Sequence, residues 1–279
     1  MGRTLRLAWR ATRGGVVEFY NSNNPTYSAS IAYYALLSFP PFTLIVLSLV
    51  RQFAIVQTGS ERAATDLIAR ALPSNFDFLS AQVIQLERAP VPLTIVGTIL
   101  TIWASMGVFG AITAAVDHAW GTEKPRSYLR HQMLAFLMML TAGAVFAISV
   151  LLMGVVHFTA GDWFSHRFPG LIAYMGMAAH YWVTPVVILA MALLFRFAPN
   201  TRVRFRDVWF GAVLAGVLWR FALAGFSWYM DDVSRFSIHG SIAAVVAFLV
   251  WVYLSAVILL YGVEVTACYA RARAELEKE

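Results

Sequence analysis

Six long apolar blocks dominate this sequence and limit what it can fold into. Each block has about 20 nearly uncharged residues, the length at which a helix crosses a hydrocarbon core of about 30 Å. Unpaired backbone groups in lipid cost several kcal/mol, so membrane spans are helices or closed barrels, and continuous blocks of this length indicate helices. The predicted spans are residues 29–50, 93–116, 133–158, 171–195, 208–230 and 241–263.

The composition supports a membrane protein with a single domain, residues 1–279. Hydrophobic residues make up 59% of the chain and charged residues 13%, whereas soluble domains carry about a quarter charged residues. The first block is too long for the apolar region of a cleaved signal peptide, so it is interpreted as a retained span. The lone Cys268 excludes an internal disulfide. We interpret it as a small residue at a helix end, with a lipidated thiol as the alternative.

The basic residues predict the orientation of the spans, because Lys and Arg are retained on the cytoplasmic side. Alternate connecting segments and the two termini hold fourteen Lys and Arg residues, and the opposite segments hold six. This asymmetry predicts that the tails 1–28 and 264–279 are both cytoplasmic. The long segment 51–92 is then external, and its apolar residues at helical spacing predict two short amphipathic helices.

Several stretches resemble the YihY/BrkB family of bacterial inner-membrane proteins, formerly mislabelled as ribonuclease BN. They occur in the family's order along almost the whole chain. The stretches are ASIAYYALLSFP at 29–40, FRFAPN at 195–200, GA at 211–212 with LW at 218–219, HGSI at 239–242, FLVWVYLSA at 248–256 and YGVEVTA at 261–267. The resemblance implies six spans in the bacterial cytoplasmic membrane. It implies little chemistry, although roles in lipid or envelope transport have been suggested for relatives.

Arg220 departs from the family pattern, in which Glu often follows the Trp of the fifth span. A charge near the bilayer centre costs from about 3 to well over 10 kcal/mol unless it is paired or hydrated, so Arg220 requires compensation. Counting along the other spans places six residues at a similar depth, and no carboxylate among them. They are Ser38, Pro40, Pro41, Ser105, His180 and Tyr253.

Two interpretations of Arg220 stay open. In the first, the guanidinium caps carbonyl groups freed by a helix break at Pro40 and Pro41, and His180 and Tyr253 complete a buried network. In the second, an unpaired Arg220 faces a cavity and receives an anionic group, such as a lipid phosphate or a carboxylate.

Two carboxylates, Asp117 and Glu264, lie at the predicted cytoplasmic ends of the second and sixth spans. A proton or cation path is one interpretation, since Glu264 is nearly aligned with Tyr253 along the helix. The other is a helix-end salt bridge that holds a basic loop. Stripes of small residues, such as Gly107 and Gly110, predict close helix packing, within the chain or in a homo-oligomer.

The sequence argues against enzymes and nucleotide-driven pumps. It contains no phosphate-binding G-x-x-x-x-G-K motif and none of the carboxylate or histidine patterns with which nucleases hold metals. We therefore expect no metal, cofactor or nucleic-acid partner. The basic loops suit anionic lipid headgroups. The leading hypothesis is a transporter or a protein that handles lipids or anionic amphiphiles near Arg220, and the alternative is a structural or assembly protein of the cell envelope.

Overall fold

The computed structural model describes residues 2–39, 95–121, 127, 129–130, 132–141, 184–201, 203–234 and 240–276. Within these ranges the chain forms helices and turns, without a strand. The helices are α1 Gly2–Asn21, α2 24–39, α3 Ile95–Ala119, α4 Gln132–Thr141, α5 Thr184–Phe197, α6 Phe205–Ser234 and α7 Gly240–Leu276. The predicted all-α class is confirmed for this part of the chain.

Two of the described helices are long and apolar enough to cross a membrane, Phe205–Met230 in α6 and Val245–Leu276 in α7. They contain most of the predicted fifth and sixth spans, and α2 to α5 overlap the other four. The segment 51–92, predicted to be external, and large parts of the predicted third and fourth spans lie outside the described residues. The count of six spans therefore stays a prediction.

Helices α6 and α7 pack antiparallel, and their backbones approach closely where both carry glycine. A Cβ atom on Gly211 would lie 2.6 Å from the Gly262 carbonyl oxygen, and would also meet the Thr266 hydroxyl. A Cβ atom on Gly262 would lie 2.7 Å from the Cβ of Ala215 and 2.8 Å from the Phe195 ring. Small residues permit such short distances between helices in a membrane. The close packing of α6 against α7 therefore requires glycine at these two positions.

The apolar core surrounds this crossing. Helix α3 adds Ala115 and Val116, and α5 adds Phe195, to buried residues of α6 and α7. Further along α3, the Tyr34 ring of α2 lies over Gly107, where an added Cβ would come within 2.7 Å of the ring. The small residues predicted to allow close packing on α3 thus accommodate an aromatic side chain of α2.

The N-terminal helix α1 packs on α7, although the sequence analysis assigned no helix to this basic segment. Ala11, which is 1% exposed, contacts α7 at Val265 and Tyr269. The Tyr261 hydroxyl donates a hydrogen bond of 3.2 Å to the Thr12 carbonyl oxygen. The segment from 2 to 21 is therefore part of the folded domain.

We predict that Gly211→Ala destabilises the protein by about 1–3 kcal/mol, because the added methyl group overpacks the crossing of α6 and α7. Gly225→Ala is the matched control on the same helix, since its Cβ would meet no atom within 4 Å. Alanine is the better helix former, so the control should be neutral or slightly stabilising. The measurement is the free energy of unfolding in detergent micelles. Equal values for the two variants would contradict the close crossing.

Candidate functional site

Arg220 lies in the middle of α6, at the border between the buried and the exposed faces of the helix. Of its neighbours one turn away, Gly216 and Leu223 are buried, whereas Val217 and Ala224 are exposed. The Arg220 side chain is itself half-buried and engages an interaction partner. A ligand at this position would therefore add to, or compete with, an existing contact.

Aromatic contacts relate the depth of Arg220 to that of other helices. The ring of Trp219, the residue before Arg220, lies 5.8 Å from the ring of Trp251 in α7, measured between the ring centroids. Phe39, at the end of α2, lies 4.7 Å from Phe248. Phe248 and Trp251 are three residues apart, about 4.5 Å along a helix. Ser38, Arg220 and Tyr253 therefore belong to one level of the bundle.

The remaining residues predicted at this level occupy different surroundings. The Ser38 hydroxyl donates a hydrogen bond of 3.1 Å to the Ala35 carbonyl oxygen of its own helix. Ser105 is half-buried on α3. Tyr253 is 39% exposed and shares a face of α7 with the exposed Val250. Pro40, Pro41 and His180 lie outside the described residues, so the predicted helix break and its cap stay predictions.

Polar contacts cluster at one end of the bundle, away from the level of Arg220. At this end α3, α5 and α7 end, and α2 and α6 begin. We call residues 22–24, 117–121, 196–207 and 264–273 the polar end. Asp207 and Arg273 form an ion pair of 3.0 Å. The Arg271 guanidinium donates a hydrogen bond of 2.7 Å to the Ala119 carbonyl oxygen. These contacts join the ends of three helices.

Asp117 and Arg196 hold the loop that leads into α6. The Asp117 carboxylate accepts a hydrogen bond of 3.0 Å from the backbone N–H of Asn200. The Arg196 guanidinium donates to the Val203 carbonyl oxygen at 3.0 Å and lies 4.0 Å from the Phe205 ring centroid. Asp117 thus holds the loop through a backbone N–H group, and the helix-end salt bridge and the proton or cation path both stay predictions.

Glu264 is the most deeply buried charged residue of the polar end, with 0% of its surface exposed. The Asn24 side-chain amide donates a hydrogen bond of 2.8 Å to its Oε1 atom. Its Oε2 atom is buried without a hydrogen-bond partner in the described part of the chain. Burial raises the pKa of Glu264, whereas the hydrogen bond from Asn24 and the charge of Arg271 favour the ionised form. Glu264 thus binds an amide of the α1–α2 turn, and the salt bridge and the proton or cation path predicted for it stay predictions.

Asn24 was missed by the sequence analysis, which treated residues 1–28 as a tail. A usable signal is the run Asn21–Pro25, since Asn tolerates the left-handed backbone and Pro favours the first helical turn. Asn23 has a φ of 53°, and its carbonyl oxygen accepts the Thr26 N–H group at 3.0 Å. This turn reverses the chain and brings Asn24 to Glu264.

We predict that Asn24→Ala destabilises the protein by about 1.5–3 kcal/mol, because it removes a hydrogen-bond donor from a buried carboxylate. In a Glu264→Gln background the same change should cost less, since a neutral amide needs that donor less. A double-mutant cycle of unfolding free energies measures the difference. Thr26→Ala, at an exposed position of the same helix start, is the control and should be almost neutral. If the effects of the two single substitutions add up in the double variant, the proposed coupling between Asn24 and Glu264 is wrong.

Relatives of this chain among known proteins include several that are named membrane proteins. A "UPF0761 membrane protein" of Alkalilimnicola ehrlichii is 28% identical over 88% of this chain, and the match covers 56% of that relative, so the chain spans little more than half its length. The ribonuclease-like protein YfkH of Bacillus subtilis is 28% identical, over 86% of this chain and 88% of YfkH. A "UPF0761 membrane protein" of Aliivibrio fischeri is 27% identical, over 85% of this chain and 76% of the relative. No solved structure matches the chain.

The family comparison covers nearly the whole chain. The Virulence factor BrkB family matches residues 16–279. This range includes Asn24, Arg220, Glu264 and the two helices that are able to cross a membrane. The chain belongs to the Virulence factor BrkB family and is a membrane protein.

Proposed function

We propose that this protein binds an anionic amphiphile inside the bacterial cytoplasmic membrane and moves or delivers it without enzymatic chemistry. In this proposal it has six spans, both termini are cytoplasmic, and Arg220 is the binding cation. The observation that carries the proposal is the position of Arg220, half-buried near the middle of an apolar helix.

The contacts of the polar end support the proposed topology. The α1–α2 turn, the end of α3, the loop before α6 and the end of α7 belong to four segments that the basic residues assign to the cytoplasm. Contacts between Glu264 and Asn24, between Arg271 and Ala119, and between Asp117 and Asn200 join these segments. Such contacts are compatible with a topology in which the four segments lie on one side of the membrane.

The topology predicts from which side of the membrane a reagent can label an introduced cysteine. On a Cys268→Ala background, Gln57→Cys should react with a membrane-impermeant maleimide in intact spheroplasts, because residues 51–92 are predicted to be external. Glu275→Cys, at an exposed position near the end of α7, should react after lysis only. Labelling of the Glu275 position in intact spheroplasts would overturn the orientation.

The surroundings of Arg220 support a role in binding an anion. The apolar stretch Phe205–Met230 extends to both sides of it, and Met230 lies ten residues away, about 15 Å along the helix. Ionisable residues at such depth usually face the bundle interior or a hydrated cavity and mark a path for a substrate or ion. A planar guanidinium binds phosphate and carboxylate groups through two parallel hydrogen bonds. An anionic lipid or a similar amphiphile carries such a group, and its headgroup passes this depth when the lipid is moved across the bilayer.

One observation favours the alternative of a structural or assembly protein. Arg220 already engages an interaction partner. If that contact serves stability alone, removing the cation changes the folding of the bundle and leaves lipid movement unchanged.

We predict that the purified protein accelerates the movement of a fluorescent anionic phospholipid across proteoliposome membranes. Arg220→Ala should reduce the accelerated rate at least about tenfold, since losing one charge-assisted hydrogen bond costs roughly 1.5–3 kcal/mol. Arg220→Lys should keep part of the rate, because it keeps the charge but loses the bidentate geometry. The rate of dithionite quenching of the labelled lipid is the measurement.

Phe221→Ala is the control, because Phe221 is exposed on the neighbouring face of the same helix. It should transport at the wild-type rate. The thermal unfolding of every variant is measured in parallel. Absence of acceleration by the wild-type protein across several headgroups contradicts the transport proposal. An Arg220→Ala protein that unfolds early, while its folded fraction transports normally, supports the structural alternative.

A further inference from the structure

Helix α1 has two opposite faces with different roles. Ala11, Gly15, Phe19 and Ser22 are buried against the bundle. On the other side, Trp9 is 70%, Val17 is 55% and Tyr20 is 69% exposed. At about 100° per residue, the exposed side also carries Arg10, Arg13 and Val16. The unpartnered face therefore combines aromatic, aliphatic and cationic side chains, which is typical of helices lying in a membrane interface.

The length of α7 places α1 near the membrane boundary. The 37 residues of α7 would extend about 55 Å, whereas the hydrocarbon core is about 30 Å thick. The part of α7 that exceeds the thickness of the hydrocarbon core is the end that carries Arg271, Arg273 and Glu275, since charged side chains are costly in the core. Helix α1 crosses α7 at residues 261–269, where the apolar part of α7 gives way to this charged part.

A shallow, open groove follows the exposed side of α1. It is lined by Trp9, Arg10, Arg13, Gly14, Val17 and Glu18. Two guanidinium groups against one carboxylate leave a net positive charge, which complements a phosphate. The exposed Trp9 and Tyr20 suit the headgroup level, where the amphipathic rings of Trp and Tyr accumulate. Charge and exposed apolar surface together fit one kind of partner, an anionic phospholipid.

We infer that α1 lies in the interfacial layer and that its groove binds the phosphate of an anionic phospholipid from the leaflet at the polar end. Arg10 and Arg13 bind the phosphate, and Trp9, Val16 and Val17 contact the upper part of the acyl chains. This lipid site is separate from Arg220 and does not depend on the transport proposal. It anchors α1, and through α1 the turn that presents Asn24 to Glu264.

The test measures lipid binding to the full-length protein in uncharged detergent micelles by native mass spectrometry. The wild-type protein should bind phosphatidylglycerol more tightly than phosphatidylcholine. The Arg10→Gln, Arg13→Gln double variant should weaken phosphatidylglycerol binding about 10- to 30-fold. Two basic residues near an anionic surface together contribute a binding free energy of that size. Its binding of phosphatidylcholine should stay unchanged.

The matched control is the double variant Arg130→Gln, Arg206→Gln, which removes two exposed cations elsewhere on the chain. It should change phosphatidylglycerol binding less than about twofold. An equal loss in both double variants would show diffuse charge attraction and overturn the site on α1. Glycerol phosphate at the lipid's concentration should not compete, and full competition by it would overturn binding of the lipid as a whole.

A second variant keeps the test valid if the double substitution disturbs folding. Val17→Asp adds a negative charge to an exposed position in the groove and should also weaken phosphatidylglycerol binding at least tenfold. Thermal unfolding without added lipid should match the wild-type protein, because the position is exposed. Unchanged phosphatidylglycerol binding by a folded Val17→Asp protein would overturn the inference.

Discussion

The close antiparallel approach of α6 and α7 is the contact on which the rest of this structure depends. It requires Gly211 and Gly262 to lack side chains, and it is surrounded by buried alanine, valine and leucine residues. Lipid tails are as apolar as leucine, so helices in a membrane associate largely through such close packing. With these two helices joined, α7 offers its other sides to α1 and α3.

The polar end shows how the segments between spans are stabilised. Carboxylates, guanidinium groups and backbone carbonyl groups of several helices pair with one another there, and Glu264 is buried against Asn24. Each contact joins segments that are far apart in the chain. A change at α1 therefore has a physical route to α7, through the turn at Asn23 and the buried hydrogen bond of Asn24.

Sequence patterns predicted the helical class and the two helices that meet the length and hydropathy of a membrane span. Those signals are local, since they depend on consecutive apolar residues and on charges between them. Asn24 and the packed face of α1 were not anticipated, because their partners lie about 240 residues away along the chain. Tyr253 was grouped with Arg220 by depth alone, and its exposed face depends on how α7 is rotated against its neighbours.

The sequence by itself determined that this chain is a helical membrane protein of the Virulence factor BrkB family with a cation in the middle of one apolar helix. Hydropathy and charge are carried by each residue, so they can be read along the chain. Only the tertiary structure decided that Arg220 is half-buried at the border of the packed face of α6, that Glu264 is buried against Asn24, and that α1 leaves a basic, aromatic face exposed. These features depend on the rotation and crossing of packed helices, which short-range sequence patterns do not specify.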